Sequence, residues 1–248
     1  MKNGTVLLET HEGVAKITLN RPEVKNAINL AMHEDLQQAF TIAGTDRDVK
    51  VIILQGKDGA FSSGADLKSI PIDDFASFDH GDYLANTYNK LIKIIENIDK
   101  PIIAYLNGIS VGAGLSIALA CDFRYANPEA VLGVSFLKIA LVPDAGASYY
   151  LPRIVGLQKA LELCLGEPIT ADEALRCGLI NSIGSPDEFA KKLTLVPKTT
   201  FGLMKKNIRN SYDKSLAEVL QLEVESQRKA GKSPEHIKAI QNFVQKLK

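Results

Sequence analysis

The chain has 248 residues, 46% hydrophobic and 23% charged, a globular composition sufficient for one large domain or a core with an appendage. Lys plus Arg (29) balance Asp plus Glu (29), and a net charge of zero argues against bulk binding to nucleic acid or an anionic membrane. Cys121, Cys164 and Cys177 stand at no metal-ligand spacing, and M-K-N-G-T-V-L-L-E-T at the start lacks the apolar run of a signal peptide, so a reduced, cytoplasmic protein is expected. Residues 5–10 and 14–19 are β-rich runs split by Glu12-Gly13 and predict a hairpin. N-R-P-E-V-K-N-A-I, residues 20–28, is a proline-punctuated loop carrying Arg21 and Lys25. Asn29 is placed to cap a helix with Leu36, Ala39, Phe40 and Ala43 at i, i+3, i+4 and i+7. Residues 49–54 predict a strand, and G-K-D-G-A-F-S-S-G-A-D-L, residues 56–67, leads through a glycine turn towards a helix. The polar stretch 71–82 reads as a mobile loop and 84–98 as one helix.

The most informative stretch is P-I-I-A-Y-L-N-G-I-S-V-G-A-G-L-S-I-A-L-A-C, residues 101–121. Residues 102–106 predict a buried strand, Asn107-Gly108 breaks it, and Gly112-Ala113-Gly114 leads into an apolar helix over 115–120. The stretch is about as long as a membrane span, but Asn107, Ser110, Ser116 and interspersed glycines interrupt it, so no membrane segment is expected. A strand, a glycine turn and a helix leave backbone N–H groups free at the helix start, where the dipole favours negative charge. That geometry suits an oxyanion; it equally suits a core strand and helix with no site.

Residues 123–126 and 131–132 predict short strands, followed by L-V-P-D-A-G-A-S-Y-Y-L-P-R over 141–153. Thr170 with Glu173 forms a capping box, and Gly178 closes that helix. Strand-and-helix units at similar spacings predict an α/β fold of repeated ββα turns. From Asp187 the pattern is helical: Ser215 with Glu218 is a second capping box, Gly231 a stop, and Ser233-Pro234 opens a helix with Ile237, Ile240, Val244 and Leu247 on one face. The tail must bury that face on its own core or on a neighbouring subunit; the neighbour is the expectation. The division expected is a core over 1–186 and a C-terminal helical oligomerisation region over 187–248.

G-A-F-S-S-G-A-D-L, K-P-I-I-A-Y-L-N-G-I-S-V-G-A-G-L, C-D-F-R-Y-A and L-V-P-D-A-G-A-S-Y-Y-L-P-R, in this order and spacing, resemble the enoyl-CoA hydratase/isomerase (crotonase) family. The resemblance implies a crotonase-like spiral of ββα repeats, a C-terminal helical trimerisation region, a homotrimer or dimer of trimers, and an acyl-CoA thioester substrate whose coenzyme A needs no separate cofactor. It also implies two backbone N–H groups on the thioester oxygen, mapped to Ser63 and Ala113. Arg21 and Lys25 match the loop that meets the CoA phosphates as charge-assisted donors, with a solvated loop pair as the alternative. Ala27, Ala65, Asp66 and Leu67 match the adenine-pocket segment, and Phe243 and Lys246 loosely match a C-terminal CoA contact.

The family's hydratases use two glutamates; Ser116 and Phe136 stand at those positions, beside Gly112 in the expected substrate pocket. What the resemblance offers instead is Asp144, in V-P-D-A-G, where the family's isomerases carry an acid. One carboxylate suffices for a 1,3-proton shift, and Phe136, Leu141, Val142 and Pro143 would raise its pKa. Alone, Asp144 would read as the N-cap of a helix beginning at Ala145. Dehalogenase chemistry in the family uses a Trp and a His; this chain has no Trp, and none of His11, His33, His80 and His236 falls in the matching turns. No His/Asp/Glu cluster has metal-ligand spacing. The expectation is a double-bond isomerase, with a specialised hydratase or lyase, or an inert acyl-CoA-binding relative, as alternatives.

Overall fold

The computed structural model describes residues 1–69 and 78–246. The hairpin forms as predicted: β1 (Val6–His11) pairs antiparallel with β2 (Val14–Leu19), Val6 opposite Leu19, with Glu12 and Gly13 both at positive φ in the turn. Helix α1 (Leu30–Thr45) follows; the Asn29 side chain accepts from the Met32 N–H, and Leu36, Ala39, Phe40 and Ala43 are buried. Strands β3 (Val51–Gly56), β5 (Ile102–Leu106) and β7 (Phe123–Ala126) then join β2 in parallel, and β10 (Ser182–Ile183) closes a six-stranded sheet of order β1-β2-β3-β5-β7-β10.

Each of these inner strands continues into a short strand of a second sheet: β4 (Ala60–Ser62), β6 (Ile109–Val111) and β8 (Val131–Gly133), with β9 (Ile169–Thr170) antiparallel at its edge. β3–β4, β5–β6 and β7–β8 are therefore successive ββ units of the predicted spiral. Helices α2 (His80–Asn86), α3 (Tyr88–Glu96), α4 (Ala113–Ala120), α5 (Ala147–Val155), α6 (Leu157–Cys164) and α7 (Ala171–Arg176) fill the spaces between units. β3 and β5 are buried on both faces because helices cover both sides, as parallel strands require. Every residue of α4 is buried, so this helix is apolar all round.

One expectation is revised here. The helix read over 84–98 is two helices, broken at Thr87, which sits at φ −120°, ψ −86°. The loop read over 71–82 lies outside the described residues as far as 77, and Asp79 then caps α2 by accepting from the Asp82 N–H. α8 (Asp187–Leu193) sets Ala190 and Leu193 against Val51, Ile53 and Ile103 on the outer face of the large sheet. α9 (Lys198–Asn210) is pinned by Lys205, 2.8 Å from Asp122, and by Arg209, 2.6 Å from Glu96 and 2.9 Å from Asp122.

Only α10 (Leu216–Gly231) and α11 (Pro234–Lys246) extend from the core. Their capping residues behave as predicted: Ser215 and Glu218 form the reciprocal box, and Ser233 accepts from the His236 N–H. Leu216, Leu220, Val224, Ile237, Ile240 and Val244 are exposed in the single chain. Among the described residues no helix is long and apolar enough to cross a membrane, and no group of three or more His, Cys, Asp or Glu could hold a metal.

Candidate active site

A cavity of about 490 Å³ opens where three turns meet. The turn after β4 supplies Ser63, Gly64 and Ala65; the start of α4 supplies Gly112 and Ala113; the loop before α5 supplies Leu141, Val142 and Asp144. The first two turns touch because Gly64 has no side chain. Its φ is +91°, and a Cβ there would lie 3.1 Å from the Val111 carbonyl oxygen and 3.5 Å from the Ala113 nitrogen.

Ala113 is the first residue of α4, and among the described residues its N–H has no acceptor; the Ser116 N–H is the one that returns to the Gly112 carbonyl, at 3.0 Å. Ser63 is different. Its N–H donates to the Lys25 carbonyl at 2.9 Å and its hydroxyl to the Val24 carbonyl at 3.1 Å. The Ser63 amide is therefore engaged with the 20–28 loop, which corrects its assignment as an oxyanion donor. Two residues on, Ile28 bridges to Ala65: the Ile28 N–H reaches the Gly64 carbonyl at 2.8 Å, and the Asp66 N–H reaches the Ile28 carbonyl at 2.9 Å. In such a parallel bridge the Ala65 N–H points away from Ile28. Among the described residues it has no acceptor, and Ala65 lines the cavity.

Asp144 does not cap a helix. Ala145 and Gly146 take positive φ (50° and 86°), α5 begins only at Ala147, and no side chain caps it. The Asp144 carboxyl instead faces the cavity, where its Oδ1 is buried without a partner among the described residues. Burial raises its pKa from 3.8 to about 6. Among the described residues it is the one carboxylate lining the cavity. Phe136 and Gly112 line it as expected. Ser116 does not: it is buried in α4, with its hydroxyl turned back to the Gly112 carbonyl at 3.3 Å.

The expected CoA contacts are arranged less simply. Arg21 Nη1 donates to the Ala27 carbonyl at 2.7 Å and to Asp66 Oδ2 at 2.8 Å, with both side chains largely buried. This pair ties the loop to the β4 turn and neutralises the guanidinium expected to meet a phosphate. Lys25 is exposed, Ala27 is buried away from the cavity, and Leu67 lines it. Phe243 lies exposed on α11. The wall formed by His80, Tyr83, Leu84 and Tyr88 was not anticipated. In a continuous helix, positions 83 and 88 fall about 140° apart; the break at Thr87 brings both to the cavity.

Fold and site together define a two-sheet ββα spiral with a cleft of free amides facing a desolvated acid. The enoyl-CoA hydratase/isomerase family model matches residues 9–248, and the chain belongs to that family. It is 30% identical over 250 residues to 1,2-epoxyphenylacetyl-CoA isomerase of Escherichia coli K12, covering 97% of this chain and 95% of the relative. It is 31% identical over 212 residues to a trans-2-decenoyl-[acyl-carrier-protein] isomerase of Streptococcus mutans, covering 84% and 78%. The crystal structure of enoyl-CoA hydratase from Thermoplasma volcanium superposes with a TM-score of 0.88 at 32% identity, covering 97% of each chain.

Proposed function

We propose that this protein shifts a carbon–carbon double bond in an acyl-CoA thioester, from the Δ3 to the Δ2 position, by a proton shuttle on Asp144. The observation that carries this reading is the Asp144 carboxyl: half-buried, its Oδ1 buried without a partner, its pKa raised to about 6, and alone of its kind among the described lining residues. The thioester oxygen would sit between the N–H groups of Ala65 and Ala113. The ionised carboxylate removes a proton from C2, and the C2–H electron pair delocalises into the thioester to give a dienolate. The two amides hold the developing oxyanion, each donor of this kind being worth about 2.7–4 kcal/mol in the transition state. The carboxyl then returns the proton to C4, which leaves a conjugated 2-enoyl thioester and regenerates the base. A group with a pKa near neutrality suits both halves of this exchange.

Hydration needs one group to activate water and another to protonate the α-carbon; Ser116 and Phe136 at the paired-acid positions weigh against it. The name of the Thermoplasma relative favours hydration as the second reading. The exposed apolar faces of α10 and α11 fit burial against other copies of the chain, as a homotrimer or dimer of trimers. To test the reading, 3-hexenoyl-CoA and crotonyl-CoA are given separately to the wild type and to Asp144→Asn. Isomerisation by the wild type, abolished in the variant, is expected; hydration of crotonyl-CoA as the dominant activity, or full isomerase activity in the variant, would sink it.

A further inference from the structure

The proton shuttle explains why Asp144 has a bare oxygen; it does not explain Tyr88. Tyr88 is the first residue of α3, is 1% exposed, and lines the cavity. Its hydroxyl is buried with no hydrogen-bond partner among the described residues. Buried hydroxyls are almost always satisfied, because an orphan forfeits its bonds to water and recovers nothing. An orphan on a residue that lines a ligand cavity is accounted for when the bound ligand brings the partner.

The ring is packed between two other aromatic side chains. His33 meets it edge-on with centroids 4.1 Å apart, and Tyr83 packs at 6.2 Å. His33 is itself buried on α1, and burial lowers its pKa to about 4, so a neutral ring backs the phenol. Burial, Tyr83 and then the Asp144 charge all push the Tyr88 pKa well above its usual value. At neutral pH the hydroxyl therefore keeps its proton and is a fixed donor near the carboxyl.

On the proposed acyl-CoA reading, on which this rests, we infer that Tyr88 determines substrate specificity by donating a hydrogen bond to an oxygen carried on the acyl group. The class of substrate favoured is an acyl thioester with an oxo, hydroxyl or ether oxygen near the carbons that Asp144 reaches, over a plain hydrocarbon chain. A site built around a hydrogen bond discriminates strongly against the ligand that lacks it, because the protein group is then left unpaired.

The test uses ligands that cannot isomerise. Calorimetry would give the affinities of hexanoyl-CoA, 4-oxohexanoyl-CoA and 5-oxohexanoyl-CoA for the wild type and for Tyr88→Phe, which keeps the ring against His33. The expected result is that at least one oxo ligand binds the wild type about tenfold or more tightly than hexanoyl-CoA. In Tyr88→Phe that ratio should fall to about twofold or less. An equal ratio in both proteins, or no preference for either oxo ligand, would overturn the inference, the hydroxyl then being satisfied by water. So would a variant that changes only the pH dependence of turnover and keeps the preference. Binding without discrimination defeats this inference alone; no binding of any acyl-CoA defeats the underlying reading with it.

Discussion

Replacing Asp144 by Asn should stabilise the protein while removing its base. The carboxyl is raised from 3.8 to about 6 by burial, so the folded state holds its proton more tightly than the unfolded chain does. Between those values the unfolded state binds fewer protons, and stability falls as pH rises through the window. At about 1.36 kcal/mol for each tenfold change in proton affinity, the full penalty at neutral pH is ~3 kcal/mol. Asp144 is only half-buried and water screens part of its charge, which discounts the figure to about 1–2 kcal/mol. Asn carries no charge, so the variant escapes that penalty, and its Tm at pH 7.5 should rise by roughly 2–8 °C for a domain of this size. At pH 4.5, where the folded wild type is already protonated, less than half of the gain should remain. His33, lowered to about 4, destabilises the fold as pH falls through the same range, but it is common to both proteins and drops out of their difference. Scanning calorimetry at the two pH values is the assay. A variant less stable at pH 7.5, or a gain that persists undiminished at pH 4.5, would refute the placement of a desolvated carboxyl.

Because the base must be ionised, kcat/KM for 3-hexenoyl-CoA should rise with pH to a plateau, with a midpoint near 6 and about a tenfold loss per pH unit below it; a flat profile from pH 5 to 8 would exclude Asp144. Gly64→Ala places a Cβ 3.1 Å from the Val111 carbonyl oxygen at a φ of +91°, which should push the Ala65 turn away from Ala113. Its kcat should drop on the order of 10²-fold, with ~1–2 kcal/mol of stability lost in urea titration. Arg21→Ala leaves the largely buried Asp66 carboxylate without its partner; destabilisation of about 1–3 kcal/mol is expected, and Asp66→Asn added in the same chain should recover part of it in a double-mutant cycle.

Elements whose signals are local were legible in the sequence. Asn29, the Thr170 and Ser215 boxes and the Glu12-Gly13 turn each act through neighbours within a few residues, and each takes its predicted role. Asp144 was legible as a candidate acid, but its competing reading as a cap was settled by backbone: positive φ at Ala145 and Gly146 delays the helix beyond its reach. Which of Ser63 and Ala65 keeps a free amide could not be read, because it depends on Lys25 and Ile28, more than 30 residues away in sequence, closing on the turn. The Arg21–Asp66 pair is likewise a product of the spiral, joining residues 45 apart. The wall that carries Tyr88 was hidden by a helix break at Thr87, which no Gly or Pro announces.

The most direct measurement is the fate of deuterium at C2. With 2,2-dideuterated 3-hexenoyl-CoA, a single carboxyl that holds the proton between the two steps should carry one label across, and NMR of the 2-hexenoyl-CoA formed should find one deuterium at C2 and the other at C4. A C4 position filled only from solvent would mean that the proton removed from C2 is not the one returned to C4, and would contradict the account.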